Sequence, residues 1–400
     1  MSGAPAPDGL AGETLGQAFC RENLGTFLSD APREPGRRVL RRVALRVLVV
    51  LLLLAAGDLV VRLLVPPESL LPWMDREFAS YTVKLDRFEH APAPDLLFLG
   101  NSRVHDGIVP SIFADALQQD WGRPVRVFNL GLMNAKAAEL AAIARGHLPD
   151  PPPKRIVVGI SGTEFTNADE FQYASRFLWS GAEFCDYLRR TPAPRLEREH
   201  VENWLGASIG KAWYCFAERD ALQKALESRV RELFGQPDEN RNVRLRISRY
   251  NRLDALSADG TSNEGLPQPN LAAMLAQGDD VRIPPYSLGD TSEITRGADY
   301  PLMRAVLTEL AARGCRVALV EVPPSPWLQE QAPEFHGELF RQRMAEFAGS
   351  LGIPFVPMPP SATFLGNDAY VDANHLNRTG AERFSTILLK RLADTGFFEG

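Results

Sequence analysis

The sequence predicts an α/β fold: a doubly wound sheet of about five parallel strands, with a helical and loop insertion, preceded by one transmembrane helix. Three observations point to it. Short apolar runs alternate with amphipathic helical stretches over residues 93–165 and again over 300–395, the pattern of strand–helix–strand units. Between these blocks the alternation stops. Ahead of them, residues 43–65 read "VALRVLVVLLLLAAGDLVVRLLV", about the length a helix needs to cross a bilayer.

Composition narrows the class. With 400 residues there is ample chain for a large core, and 45% hydrophobic with 24% charged residues describes a globular protein rather than a multi-spanning one. A net charge of −6 gives no reason to expect a nucleic-acid partner. Residues 1–42 read as a cytoplasmic tail rich in Gly, Pro and Ala, turning basic at Arg33, Arg37, Arg38, Arg41 and Arg42. Basic residues before the span, with Arg46 in its first turn, predict an N-terminus on the cytoplasmic side and everything after Val65 outside. Asp58 and Arg62 lie four apart, on one helix face, and are expected to pair. Pro66 and Pro67 end the helix.

Residues 66–92 are expected to form a connecting helix, and residues 93–400 the outer domain. "DLLFLG" (95–100), "VRVFNLG" (125–131) and "KRIVVGIS" (154–161) read as the first three strands, with helices at 109–121 and over "NAKAAELAAIARG" between them. The insertion, at about 167–297, is helical to residue 234 and then rich in Gly, Pro, Asn and Asp, expected as loops. The helix "DYPLMRAVLTELAARG", the strand "CRVALVEVPP", a helix near 334–351, the strand "IPFVPM" and the helix "RTGAERFSTILLKRLADTG" complete the chain. Thr379 and Glu382 are spaced as a capping box for that last helix. Of four Cys residues, Cys185 and Cys215 are positioned for a possible disulfide between two helices, and no Cys/His cluster has zinc spacing.

In parallel sheets chemistry gathers beyond the C-terminal ends of the strands. Strand one ends in Gly100-Asn101-Ser102-Arg103, strand two in Asn129-Leu130-Gly131, and strand three in Gly159-Ile160-Ser161-Gly162-Thr163-Glu164. After the last strand comes "DANHLN", with Asp372 three residues before His375. A serine hydroxyl is a poor nucleophile until a base takes its proton, and the base needs a carboxylate to fix its tautomer. His105 reads as a turn-surface histidine in preference to a residue lining the pocket. Arg103 reads either as a ligand for an anionic substrate group or as the partner of a nearby carboxylate.

The set "GNSR", "NLG", "GISGTEF" and "DANHLN" resembles the block order of the SGNH (GDSL-like) hydrolase superfamily, over roughly residues 93–165 and 300–395. That resemblance implies a three-layer, flavodoxin-like fold. It also implies Ser102 as nucleophile, His375 as base, Asp372 as its orienter, and the backbone N–H groups of Ser102 and Gly131 as oxyanion donors. No cofactor or metal is implied. The single anchor is similar to that of members serving cell-wall D-alanylation and exopolysaccharide O-acetylation. They act on glycan or acyl-ester substrates beside a multi-spanning membrane-bound O-acyltransferase. Two positions depart from the pattern. Asn101 replaces the usual Asp before the serine, and Ser161 stands where the third block carries its oxyanion Asn. Ser161 or Thr163 would have to donate instead, or Asn101 or Asn129 swing in. One lost donor elsewhere costs about two to three orders of magnitude in rate. The sequence is therefore compatible with two functions: a membrane-anchored serine esterase or O-acyltransferase, and a catalytically weak or inactive envelope subunit that binds glycan or scaffolds an acyltransferase.

Overall fold

The computed structural model describes residues 36–65, 70, 80–161, 174–190, 197–235, 270–279, 281 and 299–399. The chain divides into two units, residues 1–60 and 61–400. The first holds most of one helix, Gly36–Leu64, of which Leu40–Leu64 is long and apolar enough to cross a membrane. Leu45, Leu48, Leu52 and Leu53 on it are exposed, as lipid-facing side chains would be.

The second unit is built on a five-stranded parallel sheet in the order β2-β1-β3-β4-β5. Its strands are β1 Leu96–Gly100, β2 Val127–Gly131, β3 Arg155–Ile160, β4 Arg316–Glu321 and β5 Phe355–Val356. β1 pairs with both β2 and β3, so the winding reverses beside β1 and leaves a crevice at its C-terminal end. Every residue of β1, β2 and β3 is buried, which is why these strands read as unbroken apolar runs rather than alternating ones.

Alternate residues feed two cores. Leu97, Leu99, Val158 and Leu319 face a layer formed by the helices Ala137–Ala142, Asp299–Ala312 and Glu338–Gly349. Leu96, Phe98, Val157 and Val320 face the helices Pro110–Trp121 and Arg378–Asp394 on the opposite side. Residues 80–90, expected as a connector, are built into the first of these cores through Tyr81, Leu85 and Phe88. Their polar contribution is Lys84, which is fully buried and donates to the Gly131 carbonyl at 2.8 Å.

Three details differ from expectation. The stretch expected as loops contains a helix, Leu271–Gln277, capped by Asn270 and stopped by Gly278 at φ 76°. The last helix is capped by Asn377, whose side chain accepts from Gly380 N–H at 3.0 Å, while Glu382 pairs with Arg378 instead of closing a box with Thr379. Asn wins because it occupies the residue just outside the first helical position, the place from which a side chain reaches back to the free amides. Cys185, Cys215 and Cys315 are all free thiols, so the Cys185–Cys215 cross-link left open by the sequence is not formed. Arg62 lies over the Tyr214 ring at 5.5 Å.

The insertion is tied to the sheet unit by a buried carboxyl. Glu139 accepts from Lys136 N–H and from Ala174 N–H, both at 2.8 Å. Burial, only partly offset by these bonds, pushes its pKa up to about 7. The folded state then holds its proton where the unfolded chain has lost it. Stability linked to Glu139 is therefore full below the ordinary Glu pKa and declines as pH rises toward 7. Thermal midpoints measured from pH 4.5 to 7.5 should fall more steeply in the wild type than in Glu139→Gln, and parallel curves would contradict this.

Candidate active site

The site forms at the C-terminal end of β1, where Asn101 caps the short helix Ser102–Gly107. Asn101 Oδ1 accepts from Arg103 N–H at 2.9 Å, and its Nδ2 donates to Ser161 Oγ at 3.2 Å. That helix sits directly on the sheet because three strands present glycine beneath it. A Cβ on Gly131 would lie 2.3 Å from His105 N, and one on Gly100 or Gly159 would lie 2.3 Å from Val104 Cγ2. Ser102 is thereby held, nearly buried, at the first helical position, where its N–H has no acceptor inside the helix.

His375 arrives from the far end of the chain. Its Nε2 lies 2.9 Å from Ser102 Oγ, and its Nδ1 lies 2.9 and 3.0 Å from the two carboxylate oxygens of Asp372. The loop holding them is closed on itself by the Tyr370–Leu376 bridge and by Val371 N–H donating to His375 O at 2.9 Å. Asp372 Oδ1 also accepts the N–H groups of Asn374 and His375, at 2.7 and 2.9 Å. Burial would raise the Asp372 pKa, but His375 and these N–H donors outweigh it and hold the carboxyl below its ordinary range. An ionised carboxylate only accepts hydrogen bonds, so Nδ1 must carry a proton. In the neutral ring Nε2 is then the acceptor for the Ser102 O–H.

The remaining expected residues have other occupations. Arg103 is 2% exposed, and among the described residues its guanidinium is not paired with a carboxylate. It donates to Asn374 Oδ1 at 2.5 Å and to Val322 O at 3.4 Å, tying the serine turn to the histidine loop. His336, buried beside it, is held neutral by burial and by the Arg103 charge. Asn129 is wholly buried. Its Nδ2 donates to the carbonyls of Val104, His105 and Ile108 at 3.0, 3.2 and 3.1 Å. Its Oδ1 accepts from Gly131 N–H at 2.9 Å. Gly131 therefore does not present its N–H as an oxyanion donor; it supplies clearance for the serine helix. Neither Asn101 nor Asn129 is placed to swing in, since both amides are buried and bonded. Ser161 is buried and accepts from the capping Asn101, and Thr163 lies outside the described residues. His105 is buried rather than on the turn surface, with Nδ1 3.0 Å from Asp106 Oδ1.

Lys84 and Glu139 were not singled out from sequence, and only their burial marks them. Among the described residues no group of three or more His, Cys, Asp or Glu is placed to hold a metal ion. Chemically, the arrangement is a hydroxyl on a basic nitrogen whose other nitrogen is held by a carboxylate, at the mouth of a parallel sheet. No protein-family model and no curated protein sequence matches the chain.

Proposed function

We propose that the chain is a membrane-anchored serine acyl-transfer enzyme of the SGNH type, an esterase or O-acyltransferase acting on an acyl group of an envelope or extracellular glycan. The observation that carries this reading is the 2.9 Å contact between His375 Nε2 and Ser102 Oγ, with Asp372 on Nδ1. In this reading Ser102 Oγ attacks the acyl carbonyl as His375 takes its proton. The tetrahedral intermediate expels the alcohol, which receives that proton from His375, and an acyl-serine remains. Water or a glycan hydroxyl then attacks the acyl-serine, giving its proton to His375, and Ser102 is regenerated. Ser102 N–H, at the start of its helix, serves as one oxyanion donor. The apolar helix Leu40–Leu64 would anchor this chemistry at the extracytoplasmic face of a cell membrane, the N-terminus remaining in the cytoplasm. A multi-spanning O-acyltransferase is the partner this topology suits.

A specific observation favours the second reading, a catalytically weak subunit that binds glycan or scaffolds an acyltransferase. Gly131 N–H is occupied by Asn129, and the Asn101 and Asn129 amides are bonded elsewhere. One experiment separates the two. Full-length protein in detergent is treated with a fluorophosphonate probe. The first reading expects labelling that Ser102→Ala abolishes. Equal labelling of both proteins would remove Ser102 as nucleophile, and no labelling of folded wild type would favour the scaffold.

A further inference from the structure

A cavity of about 490 Å³ opens between the insertion and Thr82, and none of the residues at Ser102 lines it. Its walls include Arg176 and one face of the helix Arg198–Ala212, presenting Glu202 and Gly206, and they close at Glu218 and Arg219. Glu218 marks it as a built site. The residue is only 8% exposed, and its Oε2 is buried with no hydrogen-bond partner. Other buried carboxyls of this protein recruit donors: Glu139 takes two backbone N–H groups, and Glu321 takes Arg341 and Met358 N–H. An acceptor left unmatched in a buried position is destabilising, more so for a charged group, so its natural complement is a donor from a ligand. Burial alone pushes the Glu218 pKa up to about 7, and a cation beside it would reverse that.

The other walls narrow the ligand. Glu202, Glu218 and Asp220 surround the cavity with carboxyls, while Arg176 and Arg219 supply guanidinium groups. A bare metal ion does not fit, because no three carboxyls or imidazoles among the described residues are placed to hold one. A group carrying both a positive and a negative charge suits both kinds of wall. Arg219 gives one N–H to Phe216 O at 2.9 Å and holds its Nε 3.7 Å from Asp220 Oδ1, so an anion would be met by the second terminal nitrogen of its fork.

The wall at Glu218 is also fastened to the end of the apolar helix. Tyr214, just before it, donates to Val65 O at 2.7 Å, and Tyr214 and Ala221 share a small core with Val61 and Val65. Leu226, Val230 and Leu233, on the helix Arg219–Leu233 that starts at the cavity, are exposed at one-face spacing, as is Phe234 just beyond it. A lipid head group is therefore a source as accessible as a free small molecule.

We propose that this cavity binds an ammonium group carried beside an anion, the chemistry of ethanolamine phosphate, with Glu218 taking the ammonium and Arg219 and Arg176 the anion. The test uses full-length protein in detergent micelles, titrated calorimetrically with O-phosphoethanolamine and with glycerol 3-phosphate, which lacks the amine. Glu218→Gln should weaken O-phosphoethanolamine about 10- to 100-fold, the loss expected for a charge-assisted hydrogen bond, and leave glycerol 3-phosphate unchanged. Gly206→Leu is the second variant. A Cβ there meets nothing within 4 Å, so the side chain grows into open space, and leucine favours the helix. It should keep the thermal midpoint and abolish binding. In nanodiscs, phosphatidylethanolamine added to phosphatidylglycerol should raise the wild-type midpoint and not that of either variant if the source is a lipid. Binding of the soluble compound without that shift assigns a free ligand. Neither response in wild type, or unchanged binding in Gly206→Leu, overturns the proposal.

Discussion

Replacing Asp372 with Asn is expected to slow fluorophosphonate labelling of Ser102 by about three to four orders of magnitude while the protein stays folded. The reason is a single atom. Asn keeps an oxygen for the N–H groups of Asn374 and His375, which Asp372 Oδ1 now accepts at 2.7 and 2.9 Å. Its amide nitrogen then replaces Oδ2, which sits 2.9 Å from His375 Nδ1. An N–H facing Nδ1 selects the tautomer protonated on Nε2, and that nitrogen can no longer accept the Ser102 proton. The Asp372 pKa is lowered in the fold, so its modest contribution to stability is present above the ordinary Asp pKa and fades only as pH falls through the lowered value. Its side chain is half exposed, which keeps that contribution small. The comparison to make is the labelling rate constant of variant and wild type, with circular dichroism as the control. A loss of less than tenfold in a folded variant would mean that His375 does not depend on Asp372.

Replacing Asn129 with Leu should remove about 3–5 kcal/mol of folding stability and disturb the serine helix with it. Leucine keeps the γ-branched shape, though it is bulkier, and leaves the carbonyls of Val104, His105 and Ile108, and the N–H of Gly131, without their side-chain partner. These groups lie between the sheet and the helix that carries Ser102, where a buried unmatched polar group is costly. Urea unfolding of the full-length protein measures the loss, and the labelling rate should fall in parallel. A loss below about 1 kcal/mol would show that water or backbone shifts replace the amide readily.

The strands were legible because a parallel sheet covered on both faces demands continuous apolar runs, and "LLFLG" or "RIVVGI" leave little else to be read. Helix ends were less legible. Asn377 and Thr379 are both good caps by type, and only the backbone path shows which one stands at the boundary. The short helix at Leu271 was hidden in a Gly- and Pro-rich stretch, and it exists because Leu271 is buried and its N–H donates to Tyr370 O at 2.9 Å. Arg103 looked like a ligand for a charge, and its burial makes it a tie between two loops.

By itself, then, the sequence determined the class of fold, an apolar helix able to cross a membrane, and the residue types of a serine–histidine–carboxylate set. Periodicity and composition suffice for those, since they express which surfaces must avoid water. Only the tertiary structure decided which polar groups are open to chemistry. Ser102 and His375 stand 273 positions apart and meet at 2.9 Å, a closeness no local pattern encodes. The Gly131 N–H, free on paper, is spent on Asn129, and Glu218 is the one carboxyl among the described residues left with a buried oxygen unmatched. Hydrogen-bond satisfaction is settled by every neighbour that folding brings within 3 Å or so, and those neighbours come from all along the chain.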